Sequence, residues 1–352
     1  MSEWKKTYLR DLIVIKNGKD HKKLKNGQYP VYGSGGIMRY ADSYLYDQES
    51  VLLPRKGTLN NIQFVTEPFW TVDTCYYTVV NRDKVLPYFL YCCLCKMDIQ
   101  SLNTGSAVPS MTFEKYYSIE VPIPPLSTQH RIASILSRYD SLIENYQKQI
   151  KLLEEAAQRL YKEWFIDLHF PGHENTNIID GVPEGWEKKS ITDVLEIKYG
   201  KDHKLLKEGT IPVYGTGGIM RYVEKSLFTG ESVLIPRKGS LNNIMLVGGT
   251  FWTIDTMFYS IPKENNVAKI VYFYLKGVDM YSFNIGAAVP SMTVNILSGM
   301  KLLVPNEDVK NKFETIASKY FIRMHSLQSQ LRLLTEARDR LLPKLMSGEI
   351  EI

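Results

Sequence analysis

Two sets of basic and amide side chains carry the clearest chemical signal in this sequence. Each set has an arginine after a glycine-rich turn, then Arg-Lys-Gly after a strand-like run, and then a pair of asparagines. The first set is Arg39, Arg55, Lys56, Asn60 and Asn61, and the second is Arg221, Arg237, Lys238, Asn242 and Asn243. Arginine and asparagine can each form two hydrogen bonds with one base edge, whereas lysine suits a phosphate. These residue types at this spacing predict two surfaces that bind DNA.

Further repeated positions are candidates for the same surfaces. His21 and His203 lie in lysine-rich segments, and Ser110 and Ser291 follow the sequence Ala-Val-Pro. The lysines would add salt-dependent attraction to a polyanion. They are Lys16, Lys19, Lys22, Lys23 and Lys25 in one segment and Lys198, Lys201, Lys204 and Lys207 in the other. A structural interpretation stays open for each of these positions, because Asn-Asn can turn a hairpin, histidine can cap local structure and basic residues can simply face solvent.

Motifs for catalysis are missing from the sequence. It contains no G-x-x-x-x-G-K-[ST] phosphate loop and no H-E-x-x-H, and Met38 stands where a dinucleotide fingerprint needs its third glycine. Asp180, Glu187 and Lys189 only distantly resemble a nuclease cluster, since the first half of the chain lacks the aspartate. We therefore expect a non-catalytic chain with no metal site and no bound cofactor, and a nuclease built around Asp180 and Glu187 is an alternative.

An internal duplication organises the whole chain. Gly18–Lys25 recurs as Gly200–Lys207, Tyr32–Tyr40 as Tyr214–Tyr222, and Leu53–Ile62 as Ile235–Ile244. One residue is then lost from the second copy, and the correspondence continues to the C-terminus. Such a repeat predicts two similar domains.

The cysteines do not share in the duplication. Cys92 and Cys95 form a C-x-x-C, which could indicate a metal or redox site. Cys92, Cys93 and Cys95 align with Phe273, Tyr274 and Lys276, which cannot serve as equivalent ligands. We therefore interpret them, like Cys75, as small hydrophobic residues of a buried helix or core.

Composition sets broad limits on the class of protein. The chain has 352 residues, 44% of them hydrophobic, which is enough for two or three domains with their own cores. The formal net charge of +5 suits a polyanionic partner only weakly. The first twelve residues lack the apolar core of a signal peptide, and the longest apolar run is far shorter than a membrane span. A cytoplasmic protein without membrane association is expected.

Each copy consists of a globular segment followed by a long helical one. The globular segments mix aromatic and β-branched runs with turn residues, which predicts an α+β fold, with helices near residues 87–98 and 113 and an edge strand at 118–123. The predicted parts are a first domain at 1–125, a spacer helix at 126–168, a linker at 169–185, a second domain at 186–305, a spacer helix at 306–346 and a tail at 347–352.

Apolar residues in both helical segments recur at alternating steps of three and four, which predicts a coiled-coil seam. The seam residues are Ile135, Tyr139, Tyr146, Ile150 and Leu153 in the first helix, and Ile316, Tyr320, Leu327, Leu331 and Leu334 in the second. Antiparallel pairing of the two helices would relate the halves by a pseudo-two-fold axis. The alternative is that each helix packs on its own domain.

Three segments resemble the specificity subunit of type I restriction-modification enzymes. Val121–Leu136 is similar to that family's junction between recognition domain and spacer helix, Gly181–Trp186 to the opening of its second recognition domain, and Leu341–Ile350 to its C-terminal end. Thr128 and the sequence Pro305-Asn-Glu depart from the usual pattern, which could affect how partner subunits dock on the helices.

The resemblance implies a division of labour among subunits. Each globular domain would be a target-recognition domain that reads one half of a split double-stranded DNA target, and the helices would act as a ruler and as a docking site for two methyltransferase subunits. S-adenosylmethionine would be bound by those partners, which would methylate adenine, and separate restriction subunits would cleave DNA.

Because the two domains are close copies, we expect them to read similar sequences on opposite strands, giving a nearly palindromic target. Any difference between the halves would arise where the copies differ. Those positions are Lys23 and Leu205, Gln28 and Thr210, Tyr29 and Ile211, Tyr44 and Ser226, and Gln63 and Met245. A duplicated coiled-coil protein that binds a ligand other than DNA is the alternative function.

Overall fold

The chain divides into two units, each with its own core. The structure, a computed structural model, describes residues 4–103, 105, 108–286 and 289–350. Unit 1 comprises Met1–Gln147 and Ser329–Ile352, and unit 2 comprises Lys148–Gln328. Each unit thus contains one globular domain and a part of each long helical segment.

Among the described residues, the globular domain of unit 1 contains three small sheets, two short α-helices and two 3-10 helices, at Leu9–Asp11 and Ile99–Leu102. Its elements are β1 Lys5–Tyr8, β2 Ile13–Asn17, β3 Tyr29–Gly33, β4 Gly36–Ala41, β5 Ser50–Pro54, β6 Gln63–Val65, β7 Trp70–Thr71, β8 Cys75–Val80, α1 Pro87–Cys95, α2 Phe113–Tyr117 and β9 Glu120–Ile123. The sheets have the strand orders β2-β8-β5-β6, β4-β3-β7 and β1-β9. Strand β5 is buried throughout its length. The mixture of strands and helices confirms the α+β prediction.

Local sequence explains where the short helices begin and what closes the domain. Pro87 occupies the first turn of α1, where its missing N–H costs nothing. The hydroxyl of Thr112 accepts a hydrogen bond from the backbone N–H of Lys115 and caps α2. Strand β9 pairs with β1 alone, so Pro122 lies in an edge strand, where proline is tolerated.

Two long helices follow the globular domains. The first, α3, spans Leu126–Tyr161 and continues in a π-helical turn over Lys162–Ile166, which fits the predicted helix at 126–168. None of the helices within the described residues combines the length and hydrophobicity that crossing a bilayer requires.

The globular domain of unit 2 repeats the plan of the first after a short linker. The elements after α3 are β10 Ile178–Ile179, β11 Val182–Pro183, β12 Glu187–Ser190, α4 Ile191–Val194, β13 Leu195–Tyr199, β14 Glu208–Gly215, β15 Gly218–Val223, β16 Phe228–Thr229, β17 Ser232–Pro236, β18 Met245–Val247, β19 Thr250–Thr253, β20 Met257–Pro262, α5 Ala268–Lys276, α6 Val294–Gly299, β21 Lys301–Val304 and α7 Glu307–Ser347. The sheet β13-β20-β17-β18 matches β2-β8-β5-β6 in order, and β15-β14-β19 matches β4-β3-β7.

The long helices pack both on the globular domains and on each other. In unit 1, Ile132 and Leu136 of α3 share a core with Phe89 and with Leu345 of α7. In unit 2, Tyr161 of α3 shares a core with Phe273 and with Phe313 of α7. Within each unit, both long helices therefore contribute side chains to the core of the globular domain.

The predicted seam residues lie along these contacts with unequal burial. Leu327 is buried, and the other seam residues are half-buried. Leu142, which belongs to the same apolar stripe, is exposed. The neighbouring positions Leu136 and Ile143 are buried. A helix with 3.6 residues per turn drifts relative to a seven-residue repeat, which moves the buried face by one position.

Candidate nucleic-acid interface

The β3–β4 hairpin forms the centre of the predicted surface in the first domain. Gly33 pairs with Gly36 across a tip made of Ser34 and Gly35. The φ angle of Gly36 is +117°, in the region that strongly favours glycine. Strands β14 and β15 form the same hairpin in the second domain, with Gly215 paired with Gly218.

Arg39 ties a lysine-rich loop to this hairpin instead of pointing outward. We call residues 18–28, and 200–207 in the second domain, the lysine loops. Nη2 of Arg39 donates to the backbone oxygen of Leu24 at 3.0 Å and to Oδ1 of Asn26 at 3.1 Å. Nη2 of Arg221 donates to the backbone oxygen of Leu206 at 2.9 Å. Both arginines therefore position a loop, which favours the structural interpretation.

The lysine loops are also held by their own carboxylates. The backbone N–H of Lys22 donates to Asp20 at 3.0 Å, and that of Lys204 donates to Asp202 at 3.0 Å. These hydrogen bonds hold the pKa of each aspartate below its usual range. The two carboxylates thus stabilise the backbone conformation of the loops.

Arg55 and Arg237 are likewise engaged within their domains. Nη1 of Arg55 donates to the backbone oxygen of Asp73 at 3.3 Å, and its guanidinium lies 5.9 Å from the ring centre of Tyr76. Nη1 of Arg237 donates to the oxygen of Asp255 at 3.2 Å, and its guanidinium lies 5.3 Å from the Tyr199 ring. A bidentate contact with guanine would require these side chains to leave their present partners.

Asn60 joins two loops of the first domain. Its Nδ2 donates to Asp98 at 3.2 Å, and its Oδ1 accepts from the backbone N–H of Gln100 at 2.7 Å. Asn242 makes the equivalent contact to Asp279 at 3.0 Å and accepts from the backbone N–H of Met280 at 2.8 Å, one position earlier than in the first domain. Both amide groups are therefore occupied.

Asn61 supports the hairpin tip. Its Nδ2 donates to the backbone oxygen of Ser34 at 2.8 Å, as Asn243 does to that of Thr216 at 2.6 Å. The amides of these two residues are thus committed to the tip that they support.

Lys56 and Lys238 are exposed, as are Asn60 and Asn242, whose amides are nevertheless occupied within the domain. Their backbones bridge to Ser110 and Ser291 respectively. The N–H of Gly57, the next residue, donates to the oxygen of Pro109 at 2.9 Å. The Arg-Lys-Gly segment therefore presents its lysine beside the hairpin tip, in a position suited to a phosphate.

His21 and His203 lie at the turns of the two lysine loops. Both histidines are half-buried, and Nδ1 of each is shielded from solvent without a hydrogen-bond partner in the part of the chain that the structure describes. Their backbone oxygens accept from Leu24 and Leu206, which turns the lysine loops. The histidines are thus placed to shape those loops.

The structure brings the predicted residues of each domain together on three adjoining segments. These are the hairpin tip, the lysine loop and the Arg-Lys-Gly segment. Lysine side chains are exposed there. Arg39 fastens the lysine loop and Asn61 supports the tip, whereas Arg55 and Asn60 are bound to neighbouring loops at Asp73 and Asp98, and their counterparts do the same. Contact of any of these residues with DNA stays a prediction.

Two further pairs of residues in this region were not singled out from the sequence. Oδ1 of Asn103 accepts from the backbone N–H groups of Gly105 and Ser110, and Asn284 makes the equivalent contacts. The indole of Trp70 donates to the backbone oxygen of Lys19, as that of Trp252 does to Lys201. Their identical recurrence in both copies was the sequence signal that could have found them.

Two groups of residues that the sequence raised as alternative sites, the cysteines and the acidic residues near Glu187, have surroundings typical of a structural role. Cys92 and Cys93 are buried, and burial raises the pKa of the Cys92 thiol to about 12. Nζ of Lys189 lies 3.1 Å from Glu187 and 2.6 Å from Glu264, so Glu187 is part of an ion pair. Among the described residues, no group of three or more His, Cys, Asp or Glu side chains is placed to hold a metal.

The chain is similar to known proteins over most of its length. Residues 1–155 and 183–327 match the family described as Type I restriction modification DNA specificity domain. The Type I restriction enzyme MjaIX specificity subunit of Methanocaldococcus jannaschii is 25% identical to the chain, over 88% of the chain and 79% of that protein. The putative specificity subunit S.HindORF215P of Haemophilus influenzae is 21% identical, over 90% and 86%.

A solved structure shares the fold. The crystal structure of a type-I restriction-modification system S subunit from M. genitalium superposes with a TM-score of 0.71, covering 98% of this chain and 96% of that one at 20% identity. With two matched segments that together span most of its length, the chain belongs to the type I restriction-modification DNA specificity family, whose role is to provide DNA sequence specificity.

Proposed function

We propose that this chain is a non-catalytic specificity subunit whose two domains each read one half of a bipartite, nearly palindromic DNA target. The observation that carries the proposal is the repetition of the candidate interface. Arg39 and Arg221, Asn60 and Asn242, and Asn61 and Asn243 make matching hydrogen bonds in the two domains. Two surfaces built alike should select similar half-sites.

The two long helices would set the distance between the half-sites. Within unit 2, Gln149 of α3 accepts a hydrogen bond from Arg323 of α7 and Tyr161 packs against Phe313, which supports an antiparallel pair, because the α3 residue number rises as the α7 number falls. A helix of roughly 40 residues at about 1.5 Å per residue is about 60 Å long, or roughly 18 base pairs. The unread gap would therefore be shorter than about two turns of DNA.

The catalytic steps belong to partners in this proposal. Two methyltransferase subunits with S-adenosylmethionine would dock on the helices, and restriction subunits would join that complex. Support comes from the family itself and from its relatives, which are named as specificity subunits of type I restriction enzymes.

Co-expression with a methyltransferase subunit, followed by sequencing of methylated DNA, tests the proposal. We expect one bipartite motif with similar half-sites on opposite strands and a fixed gap. Two unrelated half-sites would contradict the near-palindrome, and a gap longer than about 18 base pairs would contradict the role of the helices as a ruler.

Binding assays on the purified chain separate this proposal from the two alternatives. A DNA-reading protein should bind duplex DNA with an affinity that falls steeply with salt. The absence of such binding, also in complex with methyltransferase subunits, would favour a non-DNA ligand. Divalent-metal-dependent cleavage by the chain alone, lost in the Glu187→Gln variant, would favour the nuclease.

A further inference from the structure

The outer strand of each recognition hairpin exposes apolar side chains to solvent. Ile37, Met38 and Tyr40 of β4 are 49%, 59% and 51% exposed. Their counterparts in β15 show nearly the same values, at 50% for Ile219, 57% for Met220 and 44% for Tyr222. Exposed apolar residues that lie together usually mark an interaction surface, and this one occurs in both domains.

The backbone under these side chains is firmly held. The pairing of β3 with β4 shifts register between Val31 and Tyr32, so that Met38 is the extra residue of a bulge. A side chain on Gly33 would collide with the Met38 sulfur, at 2.8 Å from the ideal Cβ position. Asn61 fixes the tip through the backbone oxygen of Ser34. The exposed apolar residues therefore lie on a hairpin whose tip is held by Asn61, with the Met38 sulfur close to Gly33.

The surroundings of the hairpin select the kind of partner. Lys22, Lys23 and Lys25 lie in the lysine loop that Arg39 fastens to β4, and their side chains form no ion pair within the described part of the chain. Lys56 adds a further exposed cation beside the tip. Two carboxylates lie at this loop, Asp20 and Asp42, and each accepts a backbone N–H of the loop, from Lys22 and Lys25 respectively. This surplus of positive charge around an apolar ridge is complementary to DNA.

Polar side chains that could read bases are less available here than apolar ones. Arg39, Arg55 and Asn61 are engaged with backbone oxygens of their own domain. In the major groove, thymine differs from cytosine by the C5-methyl group, an apolar feature that an apolar side chain can contact. A two-stranded β-ribbon has dimensions that the major groove admits.

From this combination we propose that the exposed residues of β4 and β15 contact thymine methyl groups in the major groove, one hairpin at each half-site. The inference rests on the proposed function and deepens it, since it names the base feature that the apolar ridge would read. Ile37 and Ile219 are the matched specificity-determining residues, with Met38 and Met220 beside them. The lysines would bind the flanking phosphates.

Replacement of single thymines by deoxyuridine tests the inference, because it removes only the methyl group. The full chain, purified with co-expressed methyltransferase subunits, would be titrated with its mapped target at fixed salt. One thymine at a time would be replaced in either half-site. For wild type, at least one replacement per half-site should weaken binding about fourfold, the effect of one buried apolar carbon.

Variants at the two hairpins turn this measurement into a double-mutant cycle. Ile37→Ala should weaken binding to the unmodified target about fourfold and abolish the effect of deoxyuridine in one half-site only. Ile219→Ala should do the same in the other half-site. Ile179→Ala removes a comparably exposed side chain, 68% accessible, from the linker hairpin β10–β11 and should leave both effects unchanged.

The outcomes distinguish this inference from the proposed function. If the wild-type protein binds the mapped target with the same affinity with and without thymine methyl groups, the inference is overturned but the proposed function is not. The inference is also overturned if binding affinity does not depend on the methyl group while 2-aminopurine placed in the half-site becomes more fluorescent. That result would indicate that an apolar side chain is wedged between bases. Failure of wild type to bind the mapped target contradicts the proposed function itself.

Discussion

Oδ1 of Asp140 lies 3.0 Å from Nη1 of Arg338, and this ion pair joins α3 to α7 within unit 1. The hydroxyl of Tyr88, on α1, donates to the other oxygen of the same carboxylate at 2.5 Å. Three elements thus meet at one half-buried carboxylate, which connects the globular domain to both long helices.

Removal of the arginine should destabilise unit 1. Arg338→Ala leaves the half-buried Asp140 carboxylate without its cation, and we expect the free energy of unfolding to fall by about 1–2 kcal/mol. Arg332→Ala on the same helix is the matched control, since its pair with Glu336 is mostly exposed and should matter by less than about 0.5 kcal/mol. Urea unfolding of both variants checks this, and equal losses would contradict it.

Exposed lysines beside the hairpin tip should contribute to DNA affinity through phosphates. Lys56→Gln is expected to weaken binding to all DNA sequences alike and to lower the slope of log affinity against log salt by about 1. Its melting temperature should not change, because its side chain is exposed. Titrations at several salt concentrations measure the slope. An unchanged slope, or a loss confined to one sequence, would exclude a phosphate contact.

Arg39 should behave as a positioning residue of the lysine loop. Arg39→Gln removes the hydrogen bonds to Leu24 and Asn26, so trypsin should cleave faster after Lys22, Lys23 and Lys25. Arg221→Gln should expose the second lysine loop in the same way, while Lys56→Gln should leave both cleavage rates unchanged. Mass spectrometry of a cleavage time course identifies the sites. A wild-type cleavage rate in Arg39→Gln would show that the loop is held by other contacts.

The two hairpin tips should differ in their tolerance of asparagine loss. In the first domain Gln63 also donates to the backbone oxygen of Gly33 at 3.1 Å, whereas Met245 stands at the equivalent position of the second domain and cannot donate. Asn243→Ala should therefore loosen its tip more than Asn61→Ala does. Hydrogen exchange of peptides that cover the two tips compares them directly, and Asn61→Ala combined with Gln63→Met should remove the difference. Equal exchange in the single variants would count against this explanation.

Acid should weaken unit 2 through Glu264. Its pKa is lowered, first by the hydrogen bond from Lys189 and also by that from the buried Lys310. A lowered folded-state pKa stabilises the protein above the unfolded value of about 4.5, and this stability is lost as the pH falls. Glu264→Gln should reduce that acid dependence and cost about 1–3 kcal/mol at pH 7, measured by urea unfolding.

Glu187→Gln provides the control for Glu264, because Glu187 contacts the same Lys189 but its side chain is 71% exposed. We expect this variant to change stability by less than about 0.5 kcal/mol and to keep the wild-type pH dependence. If both variants showed the same acid dependence, Glu264 would not be its source.

The sequence by itself determined the plan of the protein. The recurrence of Gly18–Lys25 as Gly200–Lys207 predicted two like domains, and the apolar periodicity after Leu126 predicted the long helices. Both features are repeated along the chain, so neither needs knowledge of which distant residues meet. The family resemblance of Val121–Leu136 could also be found in the sequence, because it lies in one continuous segment.

Only the tertiary structure decided which polar residues hold the interface together and which face solvent. Arg39 and Lys56 are alike as candidates in the sequence, yet Arg39 is fastened to Leu24 and Lys56 is exposed. The partners of Arg39 and Asn61 are backbone oxygens that fold back from other loops, and every residue type carries such an oxygen. For that reason composition and spacing could identify the region of the interface. Which residues in it are exposed, such as Ile37 and Met38, depends on how its loops pack.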